Sequence, residues 1–220
     1  MSEEIIVPKM KRLKPEDREI KIPWLNLALI VFCTLLIIAS TFLNLNIKHY
    51  ILPQNLFSGN NLNTDDFIYS FYFIPQIPTI MFISSFLGKR MSLASVVLYI
   101  MLGLFFTPVF ALGGGIQYIF EYGFGYILAY IPAIIITGNI LEEKYTYKNM
   151  LKSAIFGVLL IHLVGIVYMM LIALIKGSGI GFISGWIAAQ SGLKIIYDLI
   201  ASFVLILIGK YLNAGLKFVL

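Results

Sequence analysis

Runs of about twenty apolar residues, separated by short polar or glycine-containing breaks, recur along this chain and restrict it more than any other feature. A hydrocarbon core of roughly 30 Å is crossed by a helix of about 20 residues. Six segments meet that length: 23–45, 67–87, 92–112, 118–141, 150–175 and 191–212. Of 220 residues, 60% are hydrophobic and 12% charged, with a mean hydropathy of +0.91. That balance leaves little room for a soluble domain. The expected fold is an all-α membrane protein with six transmembrane helices, divided into a basic tail over 1–21 and a membrane domain over 22–220. The run at 23–45 is too long for a signal-peptide core and is expected to stay as a span.

Orientation follows from Lys and Arg, which stay on the cytoplasmic side of short loops. Lys9, Lys11, Arg12, Lys14, Arg18 and Lys21 precede the first span. Lys89 and Arg90 fall between the second and third spans, Lys144, Lys148 and Lys152 between the fourth and fifth, and Lys210 and Lys217 near the C-terminal end. The other side holds Lys48, Lys176 and Lys194. Both termini are therefore expected in the cytoplasm. The formal charge of +5 is accounted for by this bias, so nucleic-acid binding is not expected.

The connections assigned to the outer side all read as irregular. Residues 46–67 are rich in Asn, Gly and Asp and read as loop. Pro75 and Pro78 are poorly tolerated inside a regular helix, so 67–74 is expected to be irregular, with a helix starting near Pro75 to Thr79. Thr107 to Pro132 contains three consecutive glycines, Gly113 to Gly115, expected to let backbone approach a ligand or move over it. In 176–190, Gly177, Gly181 and Gly185 recur every four residues, a spacing that suits close helix packing; Gly179 weakens a helix further, and a mobile loop is favoured. Irregular backbone at membrane depth survives only where it is buried or lines a cavity. A cavity open to the outside is the expected consequence.

Gln190, Lys194 and Asp198 follow i, i+4, i+8 spacing and share one face of the sixth span. Tyr118, Glu121, Tyr122, Gly125 and Tyr126 would share a face of the fourth. An ionisable residue at bilayer depth costs about 2.5 to 3.5 kcal/mol on insertion scales, so it turns to a cavity or a partner. For Lys194 and Asp198 two arrangements compete, a self-neutralising i, i+4 pair and hydrogen bonding to a polar ligand. Glu121 reads either as an interfacial residue or as a rim residue. Tyr50, Tyr69 and Tyr145 read as interface anchors.

His162 lies deep in the fifth span and reads as an interhelical hydrogen-bonding group. His49 is in a loop, so no histidine pair has metal-ligand spacing, and neither metal nor cofactor is expected. Cys33 is the only cysteine, which excludes intrachain disulfides. No P-loop signature occurs. The Glu142 and Glu143 pair is similar to that of intramembrane CAAX-type proteases, but position 147 is Tyr where an arginine is needed. Enzyme activity is not expected.

One stretch, LYIMLGLFFTPVFALGGG, resembles the BioY family, the biotin-binding S components of energy-coupling-factor vitamin transporters. Tyr99, Gly103, Pro108, Val109, Phe110 and Ala111 carry the resemblance, with Gly125, Tyr126 and Gly138 in the following helix, Gln76 entering the second span, and HLVGIVYM in the fifth. The last is similar to the branch of the family found in cyanobacteria. Where relatives carry Lys three positions after the Asp of the sixth span, this chain has Ala201, and Lys194 is the expected substitute. The resemblance implies a six-helix protein of the bacterial cytoplasmic membrane that captures biotin near the outer surface. Its partners would be the bilayer, a coupling membrane subunit and two ABC-type ATPases. The expected site comprises Gln76, Tyr118, Glu121, Tyr122, Tyr126, Gln190, Lys194 and Asp198. The alternatives are an S component for another small vitamin, a membrane enzyme, or a scaffold without a small ligand.

Overall fold

A computed structural model describes residues 24–52 and 67–219. The basic tail over 1–21 and residues 53–66 of the loop expected over 46–67 lie outside the described residues, while residues 46–50 of that loop are instead part of a strand. In chain order the elements are α1 (Trp24–Phe42), β1 (Leu45–Tyr50), β2 (Ile68–Phe73), α2 (Gln76–Leu87), α3 (Lys89–Phe105), a 3-10 turn (Ile116–Phe120), α4 (Phe124–Leu128), α5 (Tyr130–Glu143), α6 (Tyr147–Ile175), α7 (Ile180–Ser191) and α8 (Lys194–Val219).

Among the described residues, four helical segments are long and apolar enough to cross a membrane: Trp24–Phe42, Phe124–Glu143, Tyr147–Ile175 and Ile180–Gly215, with Gln76–Leu87 a shorter apolar helix. The last of the four joins α7 to α8. At 1.5 Å per residue its 36 residues would overrun a bilayer, and the break at Gly192 and Leu193 makes α7 a separate element. Large apolar side chains on the outward faces of α1, α6 and α8, among them Phe32, Leu35, Phe156, Leu163, Leu171 and Val204, are exposed. In water that surface would be a liability, whereas lipid chains are as apolar as the side chains themselves.

Buried α2 is the centre of the bundle and touches α1, α3, α5, α6 and α8. Its start follows from its prolines. Pro75 occupies the N-cap, and Pro78 falls in the first turn, where a missing N–H costs nothing. The turn into α3 is made at Gly88, whose φ of 75° suits glycine, and Ser92 Oγ closes it by donating to the carbonyls of Gly88 at 2.7 Å and Ile83 at 2.8 Å. Helix α6 starts at Thr146, whose hydroxyl accepts from Asn149 N at 3.2 Å. It ends in a Schellman turn through Gly177, with Ser178 N donating to Ala173 O and Gly177 N to Leu174 O.

Three sequence expectations are corrected. The fold is not entirely helical: β1 and β2 form an antiparallel hairpin in which Leu45 faces Phe73 and Tyr50 faces Ile68. Residues 68–73 were expected to be irregular, but Ile68, Tyr69, Phe71, Tyr72 and Phe73 are β-formers, and pairing satisfies backbone groups that an irregular segment would strand. The second correction concerns 176–190, where α7 replaces the expected loop. Aromatic packing of Tyr122 against Phe182 and Trp186, at 4.8 and 5.4 Å between centroids, outweighs the helix-weakening glycines. Gly181 and Gly185 face open space, so they do not serve close helix packing either. Third, residues 118–141 are not one helix. The chain turns through a 3-10 segment, and Glu121 is extended before α4 begins.

Candidate functional site

At the end of the bundle away from the α2–α3 and α5–α6 turns, the N-terminus of α2, the region from Ala111 to Tyr130, the middle of α6 and the α7–α8 break converge on a cavity of about 210 Å³. A single water needs roughly 10–15 Å³ of such space, so the cavity is sized for a small molecule. Phe73 at the end of the hairpin, Leu112, Tyr118, Ile127 and Trp186 give it an apolar and aromatic wall. Gln76, Tyr126, Tyr130, His162, Gln190, Lys194 and Asp198 bring polar atoms to it.

Gln76 is held from behind. Its Nε2 donates to Thr41 Oγ1 and to Tyr99 OH, both at 2.8 Å, which ties α2 to α1 and α3 and leaves Oε1 for the cavity. Tyr99 is fully buried beside Phe110, at 5.3 Å between centroids. The Phe110 ring lies against Gly103, where any Cβ would collide with it, and Gly115 N donates to Gly103 O at 2.8 Å. Tyr99, Gly103 and Phe110 therefore form the base on which Ala111, Leu112 and Tyr118 reach the cavity. Gly113 to Gly115 do not line it, contrary to expectation. They make the tight turn that returns the chain to α3, with φ of 123° at Gly113 and 90° at Gly115.

Helices α4 and α6 cross through reciprocal contacts. Gly125 of α4 receives Tyr168 of α6, and Gly165 of α6 receives the ring of Tyr126 of α4. This crossing fixes Tyr126, whose hydroxyl lies 2.8 Å from Ser191 Oγ. Ser191 Oγ in turn lies 2.8 Å from His162 Nδ1, and His162 Nε2 lies 3.2 Å from Asp198 Oδ2. Asp198 Oδ1 is buried and has no hydrogen-bond partner among the described residues. Lys194 Nζ donates to Gln190 Oε1 at 3.1 Å, while Asp198 turns to His162.

Six of the eight residues expected at the site line this cavity: Gln76, Tyr118, Tyr126, Gln190, Lys194 and Asp198. Glu121 and Tyr122 do not. Glu121 lies 4.0 Å from Lys176, with both side chains partly exposed, and Lys176 Nζ sits 4.6 Å from the centre of the Tyr122 ring. Tyr122 also shares a 3.0 Å hydrogen bond with Ser178. The two residues latch the corner between α6 and α7, one layer outside the cavity, because the 3-10 turn removes the helical face they were expected to share. His162 has the interhelical hydrogen bonds expected of it, and it also lines the cavity, which sequence reasoning missed together with Phe73, Tyr130 and Trp186. The aromatic content of HYILPQ and IYSFYF was the available signal for the hairpin end, and GWIAAQ for Trp186. Among the described residues no three His, Cys, Asp or Glu side chains come together as a metal site.

The model of the BioY family matches residues 14–218, nearly the whole chain. The chain belongs to the BioY family. A relative described as the probable biotin transporter BioY of Lysinibacillus sphaericus is 32% identical over 99 residues, covering 44% of this chain and 50% of that protein. The match therefore spans about half the length of that curated relative. Among solved structures, the crystal structure at 2.1 Å of the S-component for biotin from an ECF-type ABC transporter aligns with a TM-score of 0.63. It is 20% identical and covers 87% of this chain and 92% of that one, a likeness of fold. Membership of a membrane transporter family and the long apolar helices make this a multi-pass membrane protein.

Proposed function

We propose that this protein is the substrate-binding component of a biotin uptake system in a bacterial cytoplasmic membrane, with six membrane crossings, both termini inside, and the cavity facing out. The observation that carries the reading is the chemistry of the cavity wall. Biotin has a cyclic urea with two N–H donors, an apolar thioether ring and chain, and a carboxylate. Asp198 Oδ1, buried and without a partner among the described residues, is an acceptor for a urea N–H, and Gln76 Oε1 is a second acceptor in the cavity lining. Phe73, Tyr118 and Trp186 suit the ring, and Lys194 with the open N-terminus of α2 suits the carboxylate.

The orientation is supported by charge. Lys89, Arg90, Lys144, Lys148 and Lys210 gather at the end opposite the cavity, which the positive-inside tendency places in the cytoplasm. The chain has no ATP-binding signature, so accumulation against a gradient would draw on a coupling membrane subunit and ABC-type ATPases.

Hydrolysis does not fit the site, although Ser191, His162 and Asp198 form a connected series. Ser191 Oγ is engaged by both Tyr126 and His162 and does not line the cavity, so it is not aimed at a bound molecule. The test of transport is radiolabelled biotin uptake in biotin-requiring cells that lack their own transporter. Expression of the chain with the coupling subunit and ATPases should restore uptake, and the Asp198→Asn variant should not. Equal uptake by the variant, or none by the native chain in its assembled complex, would contradict the proposal.

A further inference from the structure

The ligand reading uses Asp198 but gives no role to the polar series behind it. His162 and Asp198 are each 3% exposed and Ser191 6%, and the series Tyr126, Ser191, His162, Asp198 joins α4, α7, α6 and α8. Its direction follows from what each group can do. An ionised carboxylate only accepts, so the ring nitrogen facing it, Nε2, carries the hydrogen. A neutral imidazole then has Nδ1 as an acceptor, which makes Ser191 the donor, and Ser191 Oγ in turn accepts from Tyr126 O–H. Hydrogen bonds therefore run one way, from Tyr126 through Ser191 and His162 to Asp198.

We propose that Ser191 and His162 are positioning residues that lock this direction, committing Asp198 Oδ2 and leaving Oδ1 as the carboxylate's single acceptor for a ligand N–H. Tyr126, having spent its hydrogen on Ser191, shows the cavity only lone pairs. This wall therefore selects a molecule whose edge there carries donors, such as the N–H edge of a cyclic urea or a primary amide, and disfavours one that presents a carbonyl or carboxylate. The inference deepens the ligand reading and rests on it. Ser191 is the last residue of α7, the helix that also brings Trp186 and Gln190 to the cavity, so the same hydrogen bonds hold the α7 end against the bundle.

The reverse arrangement, a protonated Asp198 donating to Nε2, would put the hydrogen on Nδ1, turn Ser191 into an acceptor from His162, and free the Tyr126 hydrogen for the ligand. Nitrogen NMR separates the two in the full chain, labelled with ¹⁵N-histidine and held in micelles. His49→Gln leaves His162 as the sole histidine, since the chain has two. At about pH 7 the expected spectrum is a neutral ring protonated on Nε2. Ser191→Ala should keep the ring protonated on Nε2, as the carboxylate requires, but strip Nδ1 of its donor and shift that nitrogen's resonance, and Ser191→Thr should restore the native shift. A ring protonated on Nδ1, or on both nitrogens, would overturn the proposal.

The same variants tested with biotin by calorimetry show whether the lock matters to ligand. Ser191→Ala should weaken binding about three- to tenfold, with Ser191→Thr recovering most of it, the scale of one net hydrogen bond. Equal affinity in Ser191→Ala and the native chain would overturn the positioning role. An Nε2-protonated ring in a native chain that does not bind biotin would sink the ligand reading and leave the lock standing.

Discussion

Asp198, in the cavity lining, has one oxygen taken by His162 and the other without a partner among the described residues, while Lys194, one helical turn earlier, is held by Gln190. These are different commitments and predict different losses. Asp198→Asn keeps the size but removes the charge, and a hydrogen bond to a charged group is worth about 1.5 to 3 kcal/mol, so biotin affinity should fall roughly ten- to a hundredfold. Lys194→Ala should cost only several-fold, since the α2 N-terminus also attracts a carboxylate. Titration calorimetry on both variants measures this, and unchanged affinity in both would remove the site model. The i+4 and i+8 spacing from Gln190 made Gln190, Lys194 and Asp198 legible in the sequence. The partner of Asp198, His162, was not, nor was Ser191 behind it, because they come from α6 and α7 and no local spacing relates 162 to 198. Glu121 and Tyr122 were misplaced for the converse reason: a helical face was assumed where the chain makes a 3-10 turn.

Helices announce themselves by length and hydropathy, and α1, α6 and α8 fall close to their expected spans. The hairpin was hidden because β2 continues the apolar run of α2, and composition cannot separate an aromatic strand from the start of a span. Helix α7 was hidden because its glycines argue against it locally, and only packing against Tyr122 argues for it. The α4–α6 crossing makes a prediction at this scale. Gly165→Ala puts a methyl group into the ring of Tyr126, and overpacking of this kind costs about 1 to 3 kcal/mol. Thermal unfolding in detergent should shift down and biotin affinity should drop with it, whereas Gly181→Ala, where a Cβ meets open space, should leave both unchanged. Equal behaviour of the two variants would refute the crossing as the support of the site.

For the whole molecule, the arrangement places basic turns at one end and the cavity at the other, and this polarity can be tested in cells. In a Cys33→Ala background, Lys48→Cys on β1 should react with a membrane-impermeant thiol reagent in intact cells, and Lys148→Cys near the start of α6 only after permeabilisation. The reverse pattern would invert the assigned orientation. Family membership, fold and a cavity wall with one free acidic acceptor and an ammonium all meet in the claim that this chain itself recognises biotin. The most direct test is calorimetric titration of biotin into the purified full chain in detergent, with riboflavin and thiamine as controls. Saturable binding of biotin and neither control is the predicted result, and a well-folded sample that ignores biotin, or binds a control in its place, would contradict the account.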